Sequence, residues 1–169
     1  MQTDEFAPFY AGYVALVPEP EALPALEAQL AELPAALAPF HGALETHRYA
    51  PGKWSVRQML GHLTDSERIF GYRALRIARA DATPLPGYDE DHFVAHADFE
   101  HVPLRELVDE WALCRRANLA LFRRFDATAL ARRGTANGNA VSVRALLRIL
   151  VGHPRHHLNV LRERYLPRA

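Results

Sequence analysis

His153 and His157 are the residues whose type and spacing most directly suggest chemistry in this chain. They stand four apart in the stretch SVRALLRILVGHPRHHLNVLRERY, from Ser142 to Tyr165. Residues four apart lie one above the other on a helix face, and two imidazoles so placed can bind a single metal ion. The apolar residues around them (Val143, Leu146, Leu147, Leu150, Val151, Leu158 and Leu161) recur at helical spacing, so the pair belongs to a stripe that faces a core. Ser142 is placed to cap this helix, its hydroxyl accepting from a free N–H of the first turn.

A repeated opening suggests the third ligand. Ser55-Val56-Arg57 matches Ser142-Val143-Arg144, and both segments later carry Gly-His, at Gly61-His62 and Gly152-His153. His62 is seven residues after its cap and His153 eleven after its own, a difference of about one turn, so both sit on nearly the same face. In an antiparallel pair, His62 lies roughly 10 Å from its helix start, and the midpoint of His153 and His157 lies roughly 15 Å from the end of the other helix. A parallel pair would separate these levels more, at about 10 and 20 Å. The expectation is a site of His62, His153 and His157 on one divalent ion, with the remaining positions open, as in catalytic zinc sites. Imidazole suits zinc, nickel, iron or copper. A water or thiol bound there would lose its proton more easily. The plainer reading is a set of hydrogen-bonded core histidines, since an i,i+4 pair arises readily by chance in a chain with nine histidines.

Other residues are weighed against this site. HPRHH has the two histidines of an H-E-x-x-H protease but Pro154 in place of the glutamate, so that mechanism lacks its general base. Pro154 also removes one helical bond toward Leu150 and should bend the helix there. Asp65, three residues after His62, is a candidate to hold an imidazole N–H or to act as a base, with a solvated charge as the alternative. His156 points about 100° away from its neighbour and reads as surface or outer support. His92 and His96 share a helical spacing in an irregular context. Cys114 reads as a small buried hydrophobe. The pairs Arg115-Arg116 and Arg123-Arg124 read as solvated faces, with contact to an anionic ligand as the minority alternative.

The elements that must position these residues are helical. Residues 21–45 form helix one, with a kink or break expected at Pro34 and Pro39. Helix two runs from Ser55, in a capping box with Gln58, to about Asp81. Helix three spans Pro103 to Phe125, and helix four closes the chain. Residues 82–102 form a long irregular connection of the kind that is usually functional. Asn137-Gly138-Asn139 marks a turn with a short hairpin around it. Residues 1–20 form an aromatic, proline-rich arm that packs on the body. The expectation is one all-α domain over 1–169, a four-helix bundle in up-down-down-up order with a long crossover between helices two and three. At 169 residues and 49% apolar the chain can bury a sizeable core. Its 20 basic and 20 acidic residues give no reason to expect nucleic acid or an anionic membrane as partner. The single cysteine rules out an internal disulfide framework. Asp4 and Glu5 stand where a signal peptide would be basic, and no apolar run approaches the ~20 residues that span a bilayer, so a soluble, cytoplasmic protein is expected.

Three segments, GKWSVRQMLGHLTDSERIFGYR, PLPGYDEDHF and GTANGNAVSVRALLRILVGHPRHHLNVLRERYL, resemble the DinB-like (DinB/YfiT) superfamily. The resemblance runs from about residue 20 onward, and its most specific pieces are the His62 segment and the terminal GHxxHH. It implies a four-helix bundle of up-down-down-up order and one divalent metal, often nickel or zinc, on His62, His153 and His157. It also implies, in many members, a homodimer, a state for which the apolar arm at residues 6–17 could supply a surface. Relatives include thiol S-transferases that use bacillithiol or mycothiol, and a thiol-dependent isomerase. Where relatives often carry glutamate this chain has Pro154. The expected function is metal-dependent transfer of a low-molecular-weight thiol to a small electrophile, with Tyr88 and Asp91 of the crossover shaping the substrate mouth. Hydrolysis of a small amide or ester by a metal-activated water, and a non-catalytic metal- or ligand-binding stress protein, are the alternatives.

Overall fold

A computed structural model describes residues 3–166 of the chain. Its helices are α1 (Ala11–Ala15), α2 (Ala22–Leu37), α3 (Val56–Ala78), α4 (Glu90–His96), α5 (Leu104–Phe122), α6 (Ala127–Ala131) and α7 (Val143–Arg164). The long ones, α2, α3, α5 and α7, form a four-helix bundle. A small antiparallel hairpin, β1 (Arg133–Ala136) with β2 (Asn139–Ser142), leads into α7. Its two-residue turn needs positive φ at both positions, and Asn137 and Gly138 supply it at 51° and 72°.

The starts of α3 and α7 are fixed locally. Ser55 Oγ accepts from the Gln58 N–H at 3.1 Å, and Gln58 Oε1 accepts from the Ser55 N–H at 3.0 Å. Ser142 Oγ accepts from the Ala145 N–H at 3.1 Å and donates to the buried Glu5 carboxylate at 2.8 Å. The far end of α7 meets the approach to α3, where the Tyr165 hydroxyl donates to the Trp54 carbonyl at 2.7 Å. Ile77, near the end of α3, packs against Gly134 of the hairpin. Glu67 and Arg115 join α3 to α5 at mid-length, and Arg57 donates to the Glu100 carbonyl just before α5.

The apolar core has two parts. One gathers Leu26, Phe70, Ile77, Leu119, Leu146 and Leu150, and the other Leu33, Leu60, Leu107, Trp111, Leu158 and Leu161. Polar side chains from α2, α3 and α5 meet α7 between them. Arg115 is fully buried and donates to both Glu67 carboxylate oxygens at 2.9 and 2.8 Å, to Gln29 Oε1 at 2.7 Å and to the Leu150 carbonyl at 3.0 Å. Gln29 Nε2 donates to the Val151 carbonyl at 2.8 Å. Arg115 is therefore not a solvated residue. Its charge is matched by a carboxylate 48 positions away in sequence, which local pattern cannot reveal.

Three further expectations need correction. Helix one ends at Leu37 rather than at residue 45, so the chain does break just before Pro39; Pro34 lies inside the helix, and residues 42–46 form a separate 3₁₀ turn. The 82–102 connection is not structureless: it holds α4, capped by Asp89, a 3₁₀ turn at Phe99–His101, and a bridge from Leu85 to Ala136. Cys114 is only partly buried. No helix among the described residues is long and apolar enough to cross a membrane.

Candidate metal centre

α3 and α7 bring His62, His153 and His157 together. His62 Nε2 lies 3.0 Å from His153 Nε2, and His157 Nε2 lies 2.9 Å from the same atom. His62 and His153 are buried, at 6% and 4% exposure, and His157 is half-buried. The glycine preceding each of the first two explains the close packing of the helices' surroundings. A Cβ on Gly61 would stand 2.4 Å from the Phe99 ring, and one on Gly152 would stand 2.0 Å from the Tyr13 carbonyl oxygen. Aromatic rings then hold the imidazoles: Trp54 lies 4.8 Å from His62 and Tyr13 lies 5.1 Å from His153, centre to centre.

These nitrogens fit a shared cation better than a mutual hydrogen-bond set. One imidazole nitrogen carries either a proton or a lone pair, so His153 Nε2 cannot bond well to both neighbours. Two nitrogens held at about 2.0–2.1 Å by one ion stand about 2.9 Å apart at a right angle and about 3.4 Å apart at a tetrahedral one. The observed separations match the narrower value. Burial drives the His62 pKa down to about 4. His153 and His157 lie well below the usual value, through burial first and then the neighbouring imidazoles. All three are neutral at pH 7 and have lone pairs to give. His157 Nδ1 is buried with no partner among the described residues, a position where a water or ligand group is expected.

The three histidines line a cavity of about 350 Å³. Phe9, Tyr10 and Tyr13 from the arm form one wall, and Trp54, Phe70, Arg73 and Tyr88 contribute others. Tyr88 lines this cavity, with its hydroxyl 2.8 Å from Ser66 Oγ. Asp91 lines the adjoining cavity, which shares Trp54 and His157 with the first. Asp65 is different. It pairs with Arg68 at 3.6 Å and does not line the cavity, and burial raises its pKa. It holds no imidazole. His92 and His96 stack at 4.0 Å on α4 and form no part of the cluster. His156 packs against Tyr13 and His157.

Trp54, Phe70, Arg73 and the arm's role as a wall were missed. The α3 residues left a signal: Phe70 and Arg73 lie eight and eleven positions after His62, on its face of the helix. The arm left only its aromatic content.

A family model described as the DinB superfamily matches residues 25–161. Among solved structures, the chain is similar to YfiT from Bacillus subtilis, described as a probable metal-dependent hydrolase with an unusual four-helix bundle topology. The two share 21% identity with a TM-score of 0.77, over 84% of this chain and 82% of that one. No curated protein matches the chain.

Proposed function

The chain belongs to the DinB superfamily, and on that footing we propose that it is a metal-dependent enzyme that transfers a low-molecular-weight thiol to a small electrophile. The observation that carries this reading is the convergence of three neutral imidazole nitrogens on the wall of a 350 Å³ cavity. His62, His153 and His157 would hold one divalent ion, with nickel or zinc the leading candidates. Such an ion supplies acidity, lowering the pKa of a sulfhydryl brought to it and keeping it as thiolate. The chain's own residues do the rest. The aromatic walls exclude water and hold an apolar substrate body, and Trp54 and Tyr13 fix the rings of His62 and His153. With the sulfhydryl proton passed to solvent, the sulfur would bond to the electrophilic carbon as the carbon's bond to the leaving group breaks and that group departs with its electron pair.

Among the described residues no carboxylate is hydrogen-bonded to the three histidines, which favours thiol transfer over hydrolysis. Glu90 is the one carboxylate among the described lining residues, and it is exposed. Pro154 occupies the position where a helix-borne glutamate would stand. A thiol, with a free pKa near 8.5, needs less help to ionise than water does. The likeness to YfiT supports the second reading, hydrolysis of a small amide or ester. The helix contacts described above also support an up-down-down-up order, with α3 and α5 parallel and α7 antiparallel to α3.

Elemental mass spectrometry of tag-free protein tests the centre. About one nickel, zinc or similar ion per chain is expected, lost in both His62→Ala and His153→Ala. Thiol-transfer assays across several thiols and electrophiles then test the reaction. Metal-dependent product only when thiol is present supports transfer, and product without thiol supports hydrolysis. Metal-loaded protein that turns over neither would defeat both.

A further inference from the structure

The α3 face that carries His62 continues beyond it through Ser66, Phe70 and Arg73, and Phe70 and Arg73 reach the same cavity as His62. Arg73 is only 3% exposed. Its Nη2 donates to the Pro86 carbonyl at 2.7 Å, and its guanidinium lies 5.4 Å from the Phe70 ring centre and 6.0 Å from that of Tyr88. Among the described residues no carboxylate pairs with it, and its other N–H groups have no hydrogen-bond acceptor. A buried cation without a counter-ion is costly. Arg115, comparably buried, has Glu67. What distinguishes Arg73 is that it borders open space. Phe70, against which it stacks, also lies 6.4 Å from the His153 ring, so one aromatic ring separates the guanidinium from the histidine cluster.

We propose that Arg73 anchors a carboxylate at the far end of the substrate, so that the cavity selects small amphipathic monoanions whose other end reaches the three histidines. The proposal rests on the reading of those histidines as a metal centre. A guanidinium edge matches a carboxylate in geometry and charge. Tyr10, Phe70 and Tyr88 suit an apolar body lying between the two ends. Glu90 lines the same cavity and opposes a second negative charge, which favours a carboxylate over a phosphate dianion.

Calorimetric titration of metal-loaded protein with ω-mercaptocarboxylates of increasing length, beside the ω-mercaptoalcohols of equal length, tests this. The best acid should bind at least about tenfold more tightly than its alcohol. That preference should vanish in Arg73→Gln and survive in part in Arg73→Lys. Glu90→Gln, at an exposed position, should tighten the acids and leave the alcohols unchanged; this variant carries the test if Arg73→Gln does not fold. Equal binding of acid and alcohol, an acid preference that persists in Arg73→Gln, or no response to Glu90→Gln would overturn the proposal. Tighter binding of the matching phosphonates would overturn the choice of carboxylate. Phenylalkanoates titrated into chelator-treated protein separate the two readings. An Arg73-dependent acid preference there, with no thiol binding in metal-supplemented protein, would sink the metal centre and leave the anion site standing.

Discussion

His62 shows how burial alone can make a histidine ready for a metal. Its pKa falls to about 4 from a usual 6.5 because the packed helices withhold water from the charged form. Between those two values the unfolded chain binds a proton at this residue and the folded chain does not. Metal-free protein should therefore lose stability as pH falls through that window, and His62 alone contributes on the order of 3 kcal/mol. Urea midpoints of chelator-treated protein from pH 7 to pH 4.5 check this, and His62→Gln should flatten the slope. Metal affinity should instead hold down to about pH 5 and fall only as the pH approaches 4, where His62 of the folded chain first takes up a proton that competes for its lone pair. Competition titrations with a metallochromic indicator read that directly. An affinity already lost at pH 6 would mean that ligands other than these low-pKa imidazoles hold the ion.

α7 shows what a single proline demands of its neighbours. Pro154 has no N–H, so the Leu150 carbonyl lacks its helical donor. Arg115 of α5 donates to that carbonyl at 3.0 Å, one turn before the Pro154 position and beside His153. Glu67 and Gln29 hold the guanidinium in place. Arg115→Met leaves the buried Glu67 carboxylate without its cation, with only Asn118 still donating to it, and the Leu150 carbonyl without a donor, and about 3–5 kcal/mol of stability should go. Pro154→Ala in that background should recover part of it by returning an N–H to Leu150, and a double-mutant cycle by chemical denaturation measures the coupling. The contrast with the caps is instructive. Ser55 and Ser142 were legible in the sequence because each acts within three residues of itself. The histidine pair was legible for the same reason, and His62 because its helix repeats the opening of α7. Arg115 and Arg73 were not, since a charge is read as solvated until its distant neighbours are known. The short α4 and the arm's role as a cavity wall were hidden by irregular sequence that tertiary contacts organise.

On the scale of the whole molecule, the bundle is two apolar halves with a polar layer between them. α2, α3 and α5 each contribute a side chain to that layer, and α7 contributes two carbonyls. The histidine cluster adjoins it through His153, and the arm covers the cavity from outside. Gly152 is where the arm presses on α7, backbone against backbone. Gly152→Ala cannot be relieved by a side-chain rotation, so it should cost about 1–3 kcal/mol and loosen the arm. Thermal unfolding with hydrogen exchange at residues 11–15 checks both effects. An unchanged exchange pattern would show that the arm does not depend on this contact.

The arm and α7 are also far apart along the chain. Arg155 donates to the Leu16 carbonyl across 139 residues, and Arg148 to the Val17 carbonyl across 131. Contacts of such separation close the largest loops, and they form only once the intervening chain has found its place. The bundle can therefore assemble as a scaffold before its cavity has a wall. During folding the histidines would meet first and gain their aromatic wall last, so an ion can reach them before the arm narrows the approach.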